Sequence, residues 1–486
     1  MRVAADVSPL ELADYQKAAR LVLRHPLITA SYPDSAALPL VRAWASQLRA
    51  DFGEVLGYTL LAGGDTIRLR RVQDTLDATR PALTRGGRPF DRRRYAYLVL
   101  TLCALGRSGT QIALSELAGA VAADAGRIDG LGMDTERKPD RDAFVDAVTW
   151  LEARGALRMA DGSAIEWVSD PGQAEALYDI DREVAGAIYA PSRVLQHLNS
   201  VTELLDGTGG GSALAQGREA SRRANARRAR RLVVEQPAVY YADTDEELRG
   251  HLRSPGLAED VERLTGLRLE RRAEGVALIS AGQRLSDVAF PSPGTVAQAA
   301  LLLCARLFGH LQRNRSRIES LPAATAAERL ADAARRIDSA LPDRGGAASL
   351  LAMQARGTET GLPAPGKPVP RPGNNSPSDD GPAERARTAD PGYPFLSDAW
   401  LRTELRRLVE EFGAGMAEKQ AADPGRLLAE AVALLASLGL VARVDGGVLV
   451  LPLLARYRSV TAHIADRRPR AEIGGTDRMT AKEGSA

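Results

Sequence analysis

One arrangement constrains the fold of this chain more than any other: a helix that ends at a glycine and is followed at once by two short extended runs. It is clearest in WLEARGALRMADGSAIEWV (150–168), where Gly155 ends the helix and Asp161-Gly162 can make a hairpin turn. The segment LLASLGLVARVDGGVLVLP (434–452) repeats it, with Gly439 in the place of Gly155. Such units bury one helical face against a small sheet, so the predicted fold is mainly α with small β-hairpins.

The helical pattern before Gly155 completes the order of a winged helix. Asp91 can cap a first helix, a short helix follows around Leu117, and a third helix runs from about Asp140 to Arg154. The same plan recurs more loosely on both sides of a Pro-rich stretch in the second half of the chain. We therefore predict tandem winged-helix domains, in which Ile165–Val168 forms the second strand of the first hairpin.

The predicted organisation has seven segments. They are an N-terminal helical region with a hairpin (1–88), winged-helix domain 1 (89–173), a connector (174–213), winged-helix-like domain 2 (214–320), a helix with a Pro/Gly-rich linker (321–392), winged-helix-like domain 3 (393–460) and a disordered tail (461–486).

Composition favours a soluble chain without long-range charge. The net charge is only +2, so any DNA binding must come from local patches. No signal peptide is apparent, and no apolar run reaches the ~18 residues that a membrane span needs. The two cysteines are far apart and give no disulfide framework. We expect a cytoplasmic protein with no membrane association.

No catalytic constellation is visible. The five histidines are scattered, and no metalloprotease or serine hydrolase motif occurs. Gly361, Gly366 and Lys367 have the spacing of a phosphate loop, but Pro368 stands where Ser or Thr would bind magnesium. Tyr178–Asp181 is interpreted as a strand end with a helix cap rather than a metal site. The sequence thus predicts no enzyme, no metal site and no cofactor.

Two arginine runs are the functional candidates with a physical mechanism. One opens the first winged-helix unit, and the other fills a helix between residues 218 and 231, where it meets a single acidic residue, Glu219. Arginine forks suit phosphate, and an unpaired basic run attracts anions. The alternative for both runs is a solvated face or salt bridges to acidic neighbours. The predicted DNA-binding residues are Arg92, Arg93, Arg94, Arg222, Arg223, Arg227, Arg228, Arg230 and Arg231.

Several segments together resemble one bacterial family. They are RPFDRRRYAYLVLTLCAL (88–105), ALYDIDREVAGAIYA (176–190), VVEQPAVYYAD (233–243), RRAEGVALI (271–279) and VLVLPLLARYR (448–458). They resemble the B component of type II Wadjet plasmid-defence systems, over about residues 13–457 with the Pro-rich linker between. The linker and the third winged-helix-like unit depart from the simpler two-domain pattern.

The resemblance implies the role of a MukE-like winged-helix subunit of an SMC complex. Such a subunit forms a homodimer, binds a kleisin subunit near the heads of the SMC ATPase, and helps to hold double-stranded DNA without sequence specificity. A separate topoisomerase-VI-like subunit cuts the DNA, so no catalytic residue carries over. The alternative functions are a stand-alone winged-helix transcription regulator, which an operator footprint would reveal, and a nuclease, which a metal-dependent cleavage assay would reveal.

The linker gives a prediction about stability. Residues 343–393 are rich in Pro and Gly and lack apolar periodicity. Deleting about 40 of them should leave the protein folded, because loop closure changes stability only slowly with loop length. The melting temperature is the measurement, and a fall of more than ~5 °C, the scale of a lost core contact, would contradict the prediction.

Overall fold

A computed structural model describes residues 3–74, 81–128, 130–169, 175–189, 217–280, 282, 285–286, 288–322 and 392–460. The chain divides into two compact units. Unit 1 comprises Met1–Val288 and Pro322–Pro391, and unit 2 comprises Ala289–Leu321 and Gly392–Ala486. The fold is mainly α-helical with small antiparallel sheets, as predicted.

Within the described residues, one order of elements recurs four times: a helix, a short strand, further helices and two strands that pair with each other. Two copies carry extra elements, since one has a helix between its last two strands and another has a second short strand and an additional short helix. We call the four copies modules A to D. Module A consists of α1 (Leu12–Arg24), β1 (Leu27–Thr29), α2 (Ala37–Ala43), α3 (Ala45–Asp51), β2 (Thr59–Ala62) and β3 (Thr66–Arg70). Module B consists of α4 (Arg92–Arg107), β4 (Gln111–Ala113), α5 (Leu114–Ala125), α6 (Lys138–Glu152), β5 (Leu157–Gly162), α7 (Ala164–Ser169), β6 (Ala176–Ile180) and α8 (Arg182–Ile188).

The remaining copies follow the same order. Module C consists of α9 (Arg218–Glu235), β7 (Val239–Tyr240), α10 (Glu246–Arg253), α11 (Pro255–Thr265), β8 (Arg268–Arg271) and β9 (Gly275–Ile279). Module D, which lies in unit 2, consists of α12 (Thr295–Asn314), β10 (Ser320–Leu321), β11 (Tyr393–Ser397), α13 (Asp398–Phe412), α14 (Glu418–Ala421), α15 (Pro424–Ser437), β12 (Val441–Val444) and β13 (Gly447–Val450).

The sheets share one topology as well. In modules A, B and C the last strand lies in the centre, between the first and the second strand. In module D, β13 lies between β11 and β12, and β10 adds a fourth strand beside β11; all pairings are antiparallel. In modules C and D the central strand begins with a glycine that meets the backbone of the neighbouring strand, β7 or β11. A Cβ at Gly275 would lie 2.3 Å from the carbonyl oxygen of Val239, and one at Gly447 would lie 2.1 Å from that of Leu396. Only glycine permits this approach.

Two predicted helix caps are confirmed. Asp91 accepts a hydrogen bond from the backbone N–H of Arg94 at the start of α4. Asp181 accepts one from the N–H of Val184 and starts α8 directly after β6. Tyr178–Asp181 is thus the end of a strand followed by a cap, as the sequence indicated.

The predicted strand at Ile165–Val168 is wrong, because this segment lies in the helix α7. Ala164, Trp167 and Val168 are buried in the core of module B at helical spacing, and the Trp167 ring packs edge-on against Phe144. The strand that pairs with β5 is instead β6. The predicted end of winged-helix domain 1 at residue 173 would therefore separate β6 from the sheet to which it belongs. The predicted connector therefore contributes a central strand to module B.

A second predicted boundary also moves. Helix α12, which the sequence analysis assigned to domain 2, packs in unit 2, where Ala299, Leu303 and Leu307 join the core of module D. The first predicted segment is more than a helical region with a hairpin, because β1 gives module A a three-stranded sheet like those of modules B and C. The phosphate-loop spacing, the tail 461–486 and the predicted linker from 343 to 391 lie outside the described residues, whereas Gly392 and Tyr393 are described and Tyr393 begins β11.

The close approach at Gly447 yields a prediction. Gly447→Ala should destabilise unit 2 by roughly 2 kcal/mol or more, because its Cβ would overlap the Leu396 carbonyl and force the strands apart. Thermal unfolding of the full chain measures this. Gly415→Ala is the matched control, since its Cβ meets nothing within 4 Å. Equal melting temperatures for the two variants would contradict the steric argument.

Candidate nucleic-acid interface

The arginine-rich helix α9 has two halves with different surroundings. In its second half, Ala229, Leu232 and Val233 are buried in the core of module C. In its first half, residues 217–224 are exposed at every position. The helix is therefore anchored at its C-terminal end and projects at its N-terminal end. We call residues 218–224 the α9 arm.

The anchored half connects module C to module A through arginines. The Arg231 side chain is only 10% exposed, and its Nε and Nη2 lie 2.6 and 2.8 Å from the carboxylate oxygens of Asp74. Its Nη1 donates to the carbonyl oxygen of Leu56 at 2.9 Å. Arg231 is thus an internal structural residue, and its predicted contact with DNA does not fit this geometry.

Two further predicted residues are held in the same way. Arg227 donates to the backbone carbonyl and the carboxylate of Glu54 at 2.9 and 3.0 Å. Arg230 donates to the carboxylate of Asp260, on α11, at 2.9 and 2.6 Å. A DNA contact by either arginine would first have to break an ion pair within the chain.

Glu235, at the end of α9, completes this contact surface between modules A and C. It accepts hydrogen bonds from the Tyr58 hydroxyl at 2.8 Å and from Arg71 at 2.9 Å. Burial, followed by the nearby Glu235 carboxylate, raises the pKa of Tyr58, so this hydroxyl stays a donor. We refer to these contacts, with those of Arg227 and Arg231, as the A–C seam.

The α9 arm presents the arginines that remain available. Arg222 and Arg223 are exposed, and neither makes an ion pair with any acidic side chain in the described part of the chain. Arg228, just beyond the arm, is half-buried and also has no acidic partner among these residues. The predicted DNA-binding run therefore separates into three available arginines and three that are held internally.

The run at the start of α4 separates similarly. Arg94 is 14% exposed and lies between the carboxylates of Asp91 and Asp146, at 2.5 and 2.7 Å. Arg93 pairs with the buried Asp140 at 2.5 Å but keeps 44% of its side chain exposed. Arg92 is exposed. Of these three, Arg92 and Arg93 can still present charge to a phosphate.

The sequence analysis missed the acidic partners. Glu54, Asp74 and Asp260 lie 173, 157 and 30 residues from the arginines that they pair with. The one available signal was the even balance of 64 basic and 62 acidic residues, which favours pairing but does not say which residues pair.

Comparison with known families bears on all four modules. A family model described as "Protein of unknown function (DUF2398)" matches residues 19–351 and 380–460. The chain belongs to this family. No curated protein and no solved structure matches the chain. In this DUF2398 protein the matched segments begin inside α1 and extend past β13, so the repeated modules fall within the family region.

Two further features are absent from the described residues. No group of three or more His, Cys, Asp or Glu side chains there could hold a metal ion. None of the helices in the same residues is both long and apolar enough to cross a membrane.

The seam gives a stability prediction. Arg231→Gln should lower the free energy of unfolding by roughly 3 kcal/mol, because it leaves the Asp74 carboxylate buried without its cation. Arg228→Gln, on the same helix, should change it by less than about 0.5 kcal/mol. Denaturant titration measures both.

A double variant tests the cause. If the loss comes from the orphaned carboxylate, Arg231→Gln combined with Asp74→Asn should be more stable than Arg231→Gln alone. Additive losses in the double variant would contradict this explanation.

Proposed function

We propose that this protein is a non-catalytic, MukE-like subunit of a bacterial SMC complex of the Wadjet type, which acts against plasmids. Its four modules are winged helices that serve mainly as a protein scaffold. It binds a kleisin subunit next to the SMC ATPase, acts as a homodimer in the cytoplasm, and contacts double-stranded DNA without reading its sequence.

The order of elements supports the winged-helix interpretation. A winged helix is expected to have a helix, a strand, a helix pair and then a hairpin, in that order. The last strand of the hairpin lies against the strand that precedes the helix pair, as it does in these modules. The five sequence segments that resemble the Wadjet component lie on module-defining elements: α4, β6 with α8, the end of α9 with β7, β9, and β13. They therefore link the resemblance to the repeated architecture.

One observation carries the proposal: the helix that precedes the last two strands of each module (α3, α6, α11 and α15) presents few unpaired basic side chains. In helix-turn-helix proteins the second helix of the pair enters the major groove and needs free polar or basic side chains there. On α6 the exposed Lys138 is paired with Asp142 at 3.0 Å, and on α15 Arg426 is paired with Glu430 at 2.8 Å. On α11 the exposed charged side chain is Glu259.

The third helix of module A follows the same trend. On α3 the exposed Arg49 donates to the carbonyl oxygen of Leu60 at 3.1 Å, which holds it against its own hairpin. Acidic or internally paired helices are repelled by, or indifferent to, the phosphate-lined groove. This counts against the alternative of a stand-alone transcription regulator and favours helices used to pack and to bind protein.

The α9 arm supplies the DNA contact in this proposal. Its arginines are exposed and unpaired among the described residues, and phosphate contacts of this kind carry no sequence information. A subunit that must act on any plasmid needs that property. Arg92 and Arg93 on α4 are a second, weaker candidate because Arg93 is already paired.

The experiment compares two charge reversals of equal size. Arg222→Glu with Arg223→Glu should lower the slope of log affinity against log salt for a random 40-base-pair duplex by up to about 1.8, since each phosphate contact contributes ~0.9. The control is Arg402→Glu with Arg406→Glu, exposed positions on α13. Plasmid protection in cells should fall for the arm variant alone.

Co-purification separates DNA binding from partner binding. Both variants should retain the products of neighbouring genes, including the kleisin. An arm variant with normal DNA affinity and salt slope that no longer co-purifies with the kleisin would make the arm a protein interface. A specific footprint with the isolated protein, or metal-dependent cleavage by it, would contradict the non-catalytic scaffold role.

A further inference from the structure

We infer that the outer face of the module A sheet, where it meets module B, binds a phosphate oxyanion. The site is built from Arg24, His25, Arg68, Arg70 and Arg154, which we call the junction cluster. The inference rests on the proposed function only in taking the DNA backbone as one source of that phosphate, the other being free phosphate or a nucleotide.

The alternation of side chains defines this face. Ile28, Ile67 and Leu69 point into the core of module A, so their strand neighbours point the opposite way. The register pairs Leu27 with Arg68 and Thr29 with Thr66, which places these side chains on the outer face. The pairing continues through a hydrogen bond from Leu69 N–H to the Pro26 carbonyl oxygen at 2.7 Å, which brings His25 beside Arg70.

Module B covers one end of this face. Thr29 Oγ1 donates to the carbonyl oxygen of Arg154 at 3.0 Å, and Thr66 Oγ1 donates to Glu183 at 2.9 Å. The cover is close at Gly155, where a Cβ would lie 2.8 Å from Ser31 Oγ. Arg154 is therefore fixed over the outer face by contacts of its own backbone.

The Arg154 guanidinium lies between two aromatic rings. Its Cζ is 3.3 Å from the ring centroid of Trp150 and 4.8 Å from that of Tyr32. The guanidinium donates a hydrogen bond to the backbone oxygen of Trp150 at 3.1 Å. Burial lowers its pKa to about 10, and no carboxylate contributes to that shift. The side chain is partly buried between the two rings, and its charge has no acidic partner in the described residues.

Arg68 is a second arginine in this condition. Its Nε is buried without a hydrogen-bond partner, and it makes no ion pair within the described residues. Burial, and then the neighbouring Arg71 and Arg70, lower its pKa. Arg70 itself is exposed. Arg68 and Arg70 thus lack an acidic partner in the described residues, while the Glu183 carboxylate is held by Thr66 at the other end of β3 and Arg71 is paired with Glu235.

Arg24 and His25 extend the cluster at the end of α1, just before β1. His25 Nδ1 lies 3.2 Å from the Tyr32 hydroxyl, and burial, Arg24 and Arg154 all lower its pKa, while Asp34 opposes them. Asp34 is the acidic group that acts on His25.

Other poorly exposed arginines of this protein have acceptor groups among the described residues that Arg68 and Arg154 lack. Arg94, Arg230 and Arg231 each meet a carboxylate, and Arg141 meets three backbone oxygens. Arg68 and Arg154 meet no carboxylate in the described residues. A phosphate supplies several acceptor oxygens to guanidinium forks arriving from a strand and a helix end. An acidic peptide would also need an apolar anchor, and the exposed apolar side chain on this face is Leu61 alone among the described residues.

The first arm of the test uses inorganic phosphate and the full chain. Melting temperature is measured in sodium phosphate and in sodium chloride at equal ionic strength, since a ligand of the native state raises it. The variants are Arg68→Gln with Arg70→Gln, and Arg154→Lys, which keeps the charge but loses the planar fork. The control is Arg107→Gln with Arg127→Gln, two exposed arginines that share Asp124.

We expect the phosphate-dependent rise in the native protein and in the control, and its loss in both cluster variants. Phosphate also stabilises all variants through its general salt effect, so the rise in melting temperature of each cluster variant is compared with that of the control. An equal rise in all four proteins would overturn the site. The site would also be overturned if oligoglutamate raised the melting temperature of the native protein as much as phosphate does. Folding is checked in chloride, and if Arg154→Lys unfolds, the Arg68 and Arg70 variant alone decides.

The second arm uses the 40-base-pair duplex. If the phosphate comes from DNA, the Arg68 and Arg70 variant lowers the salt slope by about 0.9 to 1.8 and the control does not. If the first arm is positive and this slope is unchanged, the source is a free phosphate or nucleotide. If the native protein binds no DNA, the proposed DNA role fails, while the first arm still decides the junction cluster.

Discussion

The arrangement of unit 1 depends on one ion pair, that of Arg231 with Asp74. A buried guanidinium–carboxylate pair adds little to stability over apolar packing, yet the loss of either partner is costly. It therefore selects which surfaces of modules A and C meet. Tyr58, Arg71 and Glu235 extend the same seam, and Leu264 of α11 enters the core of module A. Module C thus completes its burial against module A.

The seam also explains why α9 can present a free basic arm. A short helix that packs against nothing is marginal in water, because nucleation costs more than its few hydrogen bonds return. Here the anchored half, with Ala229 and Leu232 in the core, supplies the nucleus. The exposed turns propagate from it and carry Arg222 and Arg223. The same row of arginines therefore divides into one half that is paired within the chain and one half that is exposed.

Local chemistry was predictable and distant pairing was not. The caps at Asp91 and Asp181 and the helix ending at Gly155 follow from residue type and position alone. Ile165–Val168 was mistaken for a strand because so short a run fits either period, and only Phe144 on the opposite side favours the helix. The arginines at 227 and 231 looked free because Glu54 and Asp74 are 173 and 157 residues away. No local pattern reports such partners.

In a molecule of net charge +2, the number of arginines says little about where an anion binds. Charges beyond roughly 8 Å are screened in physiological salt, so only local imbalance acts on a ligand. On α6 and α15 the charges of Lys138 and Arg426 are balanced, since each is paired with a carboxylate on its own helix. Local imbalance of this kind is found at the end of α9 in module C, and on a sheet face of module A where Arg68 and Arg154 lack carboxylate partners in the described residues. On the winged-helix assignment proposed above, positive charge in these two places would contact phosphate from the periphery of a module and would leave the helix pair to bind protein.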